Sequence, residues 1–198
     1  MRDAKGIAKL GKLLKKPIFR ASEARKAGVQ PALLSYYVKK DLIERMGRGV
    51  YRGKSAEMDV DFQWEDLAFT VKSVPNGVVC LISALALYDL TEDIPRVHWI
   101  AIPHATTSPK RKGAKFIRMR DTKLGRIDVA LGGEKIRIFD RERTIVDTFR
   151  YLGKETAIKA LKSALAKKEN EKIDLRKLQD YAKKLRVKLD PYIMAMTT

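Results

Sequence analysis

The sequence predicts a mixed α+β chain: an N-terminal winged helix-turn-helix followed by an α/β domain with a helical C-terminus. Three observations carry this expectation. Residues 17–52, PIFRASEARKAGVQPALLSYYVKKDLIERMGRGVYR, hold two short helical patterns split by a glycine turn, then two short strand patterns around GRG. Positive charge gathers over the same stretch, since residues 1–54 contain 15 Lys and Arg against 4 Asp and Glu, or +11 of the chain's net +18. Beyond it, apolar runs such as GVVCLISALALY give enough material for a second core.

Taken in order, Asp3 to Lys16 places Ile7, Leu10, Leu13 and Leu14 at helical spacing, with Lys5, Lys9, Lys12 and Lys16 on another face. Pro17 ends that helix. Ser22 is the expected N-cap of a short helix over Glu23 to Ala27, and Gly28 supplies the turn. Gln30 and Pro31 open a third helix, because proline at the first helical position loses no hydrogen bond. There Leu34, Tyr37 and Val38 form the inward stripe, leaving Ala32, Ser35, Tyr36 and Lys39 outward. Leu42 to Met46 and Val50 to Arg52 read as strands joined by Gly47-Arg48-Gly49.

Polar residues 53–61 contain the expected boundary, giving one domain over 1–55 and another over 56–198. In the second, a helix is expected over Asp61 to Ser73, with Phe62, Leu67, Phe69 and Val71 making apolar contacts, and Pro75-Asn76-Gly77 breaks it. Val78 to Ile82 reads as a short buried strand, with Ser83 capping a helix over Ala84 to Leu90. Strands are expected over Val97 to Ile102, Lys115 to Met119, Arg126 to Leu131 and Lys135 to Phe139, the last two joined by Gly132-Gly133. Asp140 caps a helix over 141–152, and helices over Thr156 to Lys168 and Asp174 to Arg186 precede an apolar tail at Tyr192 to Met196.

A pI near 10 favours polyanionic partners, because neutralising phosphates releases condensed counterions. The expected partner is double-stranded DNA. Ser35, Tyr36 and Lys39 are assigned to the groove, with Gln30 at the helix entrance. Arg25, Lys26, Lys40, Arg45, Arg48 and Arg52 are assigned to the phosphate backbone. A second basic face is expected over Lys110, Arg111, Lys112, Lys115, Arg118 and Arg120, in a segment that carries +7 between Lys110 and Arg126.

Other chemistry is poorly supported. His98 and His104 are read as structural, no HExxH or CxxC spacing exists, and no phosphate-binding GxxxxGK[ST] is present, so neither metal, cofactor nor catalytic residue is expected. Asp128, Glu134 and Lys135 give only a faint likeness to a metal-dependent nuclease, which is kept as a rival. The lone Cys80 sits in an apolar run and suits a reducing compartment. The first 16 residues lack the apolar run of a secretory signal, and no stretch approaches the roughly 20 apolar residues of a membrane span, so a cytoplasmic protein without membrane contact is expected. Leu175, Leu178, Tyr181, Ala182 and Leu185 form an apolar stripe that could serve an interaction module or pack on its own core.

The winged helix ending GRGVYR, the run ISALALYDLT at 82–91, the strand VHWIAIP at 97–103 and the segment IRIFDRERTIVDTFR at 136–150 together resemble one family, the AbiEi antitoxins and transcriptional regulators of type IV toxin-antitoxin systems. That resemblance implies an autorepressor that binds inverted repeats in its own promoter as part of abortive phage defence. It also implies that 56–198 is an antitoxin domain, opposing a nucleotidyltransferase-like AbiEii toxin without a stable complex. A regulator with no toxin partner is the alternative. Within RERTIVD, Arg143 and Asp147 are spaced i,i+4 as an ion pair, worth about 0.3–0.5 kcal/mol if exposed. They are read as architectural first and antitoxic second.

Overall fold

The computed structural model describes residues 2–54 and 58–197, with side chains outside 2–7, 170 and 197. Lys5 and Ile7 of the first helical stripe therefore lie outside the described side chains, and residues 55–57 of the expected boundary outside the described residues. The architecture is mixed α+β with two sheets. Two compact units emerge: Met1–Pro75 with Ala130–Ile136, and Asn76–Val129 with Arg137–Thr198.

In the first unit the order is α1 (Arg2–Leu14), β1 (Phe19–Arg20), α2 (Ala21–Lys26), α3 (Pro31–Lys39), β2 (Ile43–Gly47), β3 (Val50–Gly53) and α4 (Phe62–Ser73). The strands form an antiparallel sheet in the order β1-β3-β2. Leu10, Phe19, Ala24, Val29, Leu34, Tyr37, Ile43 and Tyr51 make the core, with the Phe19 and Tyr51 rings stacked at 5.8 Å. Leu10, Ala24, Leu34 and Tyr37 thus turn inward from their helices, while Lys9, Lys12, Arg25, Lys26 and Lys39 are exposed.

Two local expectations are corrected here. Ser22 does not cap α2; the helix begins two residues earlier, with Arg20 as N-cap, and the Glu23 carboxylate accepts the Arg20 N–H at 2.8 Å. A glutamate three residues into the helix can satisfy the cap backbone and so fixes the start. Phe62 is 82% exposed rather than packed. It is the first residue of α4, where the Cβ tilts toward the helix start and beyond the surface that Leu67, Ala68 and Val71 cover.

The second unit carries β4 (Val78–Val79), α5 (Leu81–Leu87), β5 (His98–Pro103), β6 (Ala114–Met119), then α6 (Arg141–Tyr151), α7 (Lys154–Leu165), α8 (Leu175–Leu185) and α9 (Asp190–Thr197). Strands β7 (Arg126–Leu131) and β8 (Glu134–Phe139) complete a five-stranded sheet of order β6-β5-β4-β8-β7. It is mixed: β4 runs antiparallel to β5 and parallel to β8, while β5 and β6 are parallel.

The expected strand over 78–82 is cut to Val78–Val79, because Leu81 takes φ 48° and opens α5 after Cys80. Ser83 is accordingly no cap. It lies buried inside α5 and its Oγ accepts the Trp99 N–H at 2.9 Å, tying helix to sheet. Asp140 does cap, accepting the Arg143 N–H, and Asp174, expected as the first residue of its helix, instead caps α8 by accepting from the Arg176 and Lys177 N–H groups. The stripe on α8 packs inward: Leu178 and Ala182 are buried, and Leu175, Tyr181 and Leu185 border the same core. Cys80 is fully buried, and burial pushes its thiol pKa well up. Among the described residues no helix is long and apolar enough to cross a membrane.

Candidate nucleic-acid interface

The α2–turn–α3 unit is built by local bonds. The Gly28 and Val29 N–H groups return to the Arg25 and Ala24 carbonyls, closing α2, and Gln30 in extended conformation then leads Pro31 into α3. Asp41 at φ 60° stops α3, and its Leu42 N–H bonds back to Tyr37. The nine-residue helix is therefore fixed at both ends.

Its two faces separate sharply. Leu34 and Tyr37 are buried, whereas Ala32, Ser35, Tyr36, Lys39 and Lys40 are exposed. Tyr36 leans edge-on against Tyr37 at 5.8 Å, and the Lys40 Nζ lies 5.9 Å from its ring. Ser35 Oγ reaches the Pro31 carbonyl at 3.5 Å, a long bond that leaves its hydroxyl accessible. Gln30 is exposed at the helix entrance, and Arg25 and Lys26 are exposed on α2.

The β2–β3 hairpin supplies the remaining cations. Arg48 is exposed at the turn, where Gly49 takes φ 70°, a conformation that favours glycine. A register shift between Arg45 and Gly47 bends the strand, and Arg45 Nε donates to the Gly47 carbonyl at 3.3 Å. Among the described residues Arg25, Lys26, Lys39, Lys40 and Arg48 carry no ion pair.

Arg52 does not join them. Its guanidinium donates to Glu44 at 2.8 Å and Glu65 at 2.5 Å and lies 5.6 Å from the Phe69 ring, so it faces inward. Glu44, against the opposing effect of burial, and then Glu65 hold it above its ordinary pKa. Sequence reasoning also left Lys9 out of the assigned contacts, although it reaches the α2–α3 turn: a Cβ placed on Gly28 would lie 3.5 Å from its Nζ. The signal available was the lysine register of the first helix, which sets Lys9 on a face apart from the apolar stripe.

The second basic segment is not one surface. Lys115 and Arg118 stand three residues apart on the sheet-edge strand β6 and point to opposite faces. Lys115 Nζ sits 3.9 Å over the Trp99 ring. Lys110, Lys112 and Arg120 are exposed and Arg111 is half-buried.

Arg143 and Asp147, spaced i,i+4 on α6, do not form an exposed pair. Both are fully buried, with Arg143 Nε on Asp147 Oδ2 at 2.8 Å. The other guanidinium nitrogens donate to the Leu124 and Asp121 carbonyls, each at 3.0 Å. Burial pushes the Asp147 carboxyl up, opposed by Arg143 and Arg150. Nearby, Tyr181 and Lys177 reach Asp140 at 3.1 and 3.0 Å, and Lys177 also pairs with Glu142 at 3.0 Å. Burial pulls the Lys177 ammonium down, yet these carboxylates leave it raised. Gly125 closes the cluster, since a Cβ there would stand 2.6 Å from Arg143 Cβ and its φ is 68°.

No group of three or more His, Cys, Asp or Glu side chains suited to a metal is found among the described residues. Glu134 of the faint nuclease set is buried and paired with Lys72, while Asp128 is exposed on β7.

Residues 13–52 match a family model described as transcriptional regulator, AbiEi antitoxin. Over this span, which holds the end of α1 through most of β3, the chain is similar to regulators of that family. Every residue assigned above to DNA falls inside it. The motifs at 82–91, 97–103 and 136–150 fall outside it. No curated protein matches the chain.

Proposed function

We propose that this chain is a DNA-binding transcriptional autorepressor and antitoxin of a type IV toxin-antitoxin system. In this reading residues 1–55 act as a winged helix: α3 enters the major groove with Ser35, Tyr36 and Lys39, and the Arg48 turn is the wing. Residues 56–198 act as the antitoxin domain, opposing a nucleotidyltransferase-like AbiEii toxin without holding it, in the cytoplasm and without an enzymatic step.

The observation that carries the DNA-binding part is the unpaired cationic surface around α3, lying inside the segment that matches the regulator family. Cations without carboxylate partners on a small polar helix face suit phosphates on either side of a groove. Full-length protein titrated with a fluorescent duplex carrying the inverted repeats of its own promoter should bind it more tightly than a scrambled duplex. With about five phosphates neutralised, log K should fall against log salt with a slope of about −4.5. Absence of binding in dilute salt would overturn the reading.

The antitoxin part rests on the resemblance, and its test is separate. Co-expression should restore growth against the toxin although the two proteins do not co-purify. Because the matched segment is confined to 13–52, a regulator with no toxin partner is the second reading, favoured if no such rescue occurs.

A further inference from the structure

In the second unit, a cavity of about 610 Å³ is lined by residues from the end of α6, the start of α7, the turn after α8 and the start of α9. The reading above makes no use of it. Its wall carries four cations and no carboxylate: Arg150, Lys154, Arg186 and Lys188. Phe149 and Tyr192, with rings 5.0 Å apart, line the same space.

The four cations are held differently. Arg150 is fixed, donating to Asp147 Oδ1 at 3.3 Å with its guanidinium 5.1 Å from the Tyr151 ring. Lys154, Arg186 and Lys188 are exposed and have no ion pair among the described residues. Lys154 is also the first residue of the twelve-residue α7, where Gly153 offers no side-chain acceptor to the first N–H groups. A helix start of this kind adds positive potential and N–H donors to the same region.

Four like charges around one cavity repel each other, and a multivalent anion between them removes that repulsion. The volume falls in the range of small-ligand clefts, about 300–1,000 Å³. Arginine and lysine suit phosphoryl oxygens, and an aromatic pair beside them suits a planar base. We propose that this cavity binds a nucleotide, with its phosphates on Arg150, Lys154, Arg186 and Lys188 and its base against the Phe149–Tyr192 side. The nucleotide is either free or one unit of a nucleic-acid strand. This goes beyond the DNA-binding reading and does not depend on it.

The test is calorimetric titration of full-length protein with ADP and, separately, with a five-nucleotide single-stranded DNA. Lys154→Gln/Lys188→Gln should weaken ADP at least tenfold while leaving the thermal midpoint and duplex binding unchanged. Lys154→Arg/Lys188→Arg should retain it. If the double glutamine variant does not fold, Arg186→Asn, which suits the left-handed backbone at that position, should weaken ADP in its place. Tighter binding of ADP than of the oligonucleotide identifies a free nucleotide, and the reverse order identifies a strand. No binding of either probe to the wild type, or binding that the charge-removing variants retain, would overturn the proposal.

Discussion

The exposed face of α3 and the buried Arg143 treat positive charge in opposite ways. Lys39, Lys40 and Arg48 stand in solvent with no carboxylate against them among the described residues, so their charge is available to a partner. Arg143 is the largest fully buried side chain, and each of its guanidinium nitrogens is occupied from within the fold. A basic side chain is therefore informative about partners only once its internal acceptors are known. Arg52 makes the same point inside the basic segment, since two glutamates withdraw it from the surface it belongs to by sequence.

The largest effect that would test this contrast comes from Arg143→Met. It leaves Asp147 buried with only Arg150 beside it, and the expected loss is about 3–5 kcal/mol, read by urea denaturation. A loss below about 1 kcal/mol, the scale of an exposed pair, would erase the distinction. Gly125→Ala comes next: the methyl group meets Arg143 at a positive φ, with an expected destabilisation of about 1–3 kcal/mol and no change in duplex affinity.

Arg48→Ala and Arg52→Ala sharpen the comparison within one hairpin. Arg48→Ala should change stability by less than about 0.5 kcal/mol yet lower the magnitude of the salt slope by about 0.9. Arg52→Ala should do the reverse, losing about 1 kcal/mol of stability with the slope unchanged. A wild-type salt slope for Arg48→Ala would remove Arg48 from the interface.

The smallest effect is a pH dependence of the first unit. Burial raises the Glu23 pKa, but the Arg20 N–H and the Lys16 ammonium outweigh it and leave the carboxyl below its ordinary value. A carboxylate lowered on folding contributes stability above its unfolded pKa, about 4.3, and that contribution disappears as pH falls through the folded value. Glu23→Gln should therefore show a shallower loss of stability than wild type across that acidic window. Parallel curves would mean that the cap carries no ionic component.

Much of the fold could be read from local chemistry. Pro31 at a helix start, Asp140 as a cap and Gly132-Gly133 between strands each act within a few residues, so sequence displays them directly. What escaped depends on distant partners. An i,i+4 Arg–Asp pair has the same spacing whether exposed or buried, and only the carbonyls of Asp121 and Leu124, some twenty residues upstream, decide which. Ser83 reads as a cap from its neighbours, because its Trp99 partner lies sixteen residues away on β5. On the candidate interface the helical period separated inward from outward residues of α3, but it could not show that Glu65, on another helix, claims Arg52. Within the basic run at 110–120, strand alternation turns Lys115 and Arg118 to opposite faces of β6, which a count of charges does not display.

The Asp121 carboxylate has a consequence of its own. By accepting the Lys123 and Leu124 N–H groups at 2.8 and 3.0 Å, it bends the chain so that two carbonyls of this turn meet one guanidinium. A protease that cuts after basic residues finds Lys110, Arg111 and Lys112 in an irregular connection, but cleaving after Lys123 requires the strand of chain around it to leave Arg143. Nicking after Lys123 should then follow unfolding of the surrounding helices, while limited digestion of the native protein should cut the 110–112 bonds first.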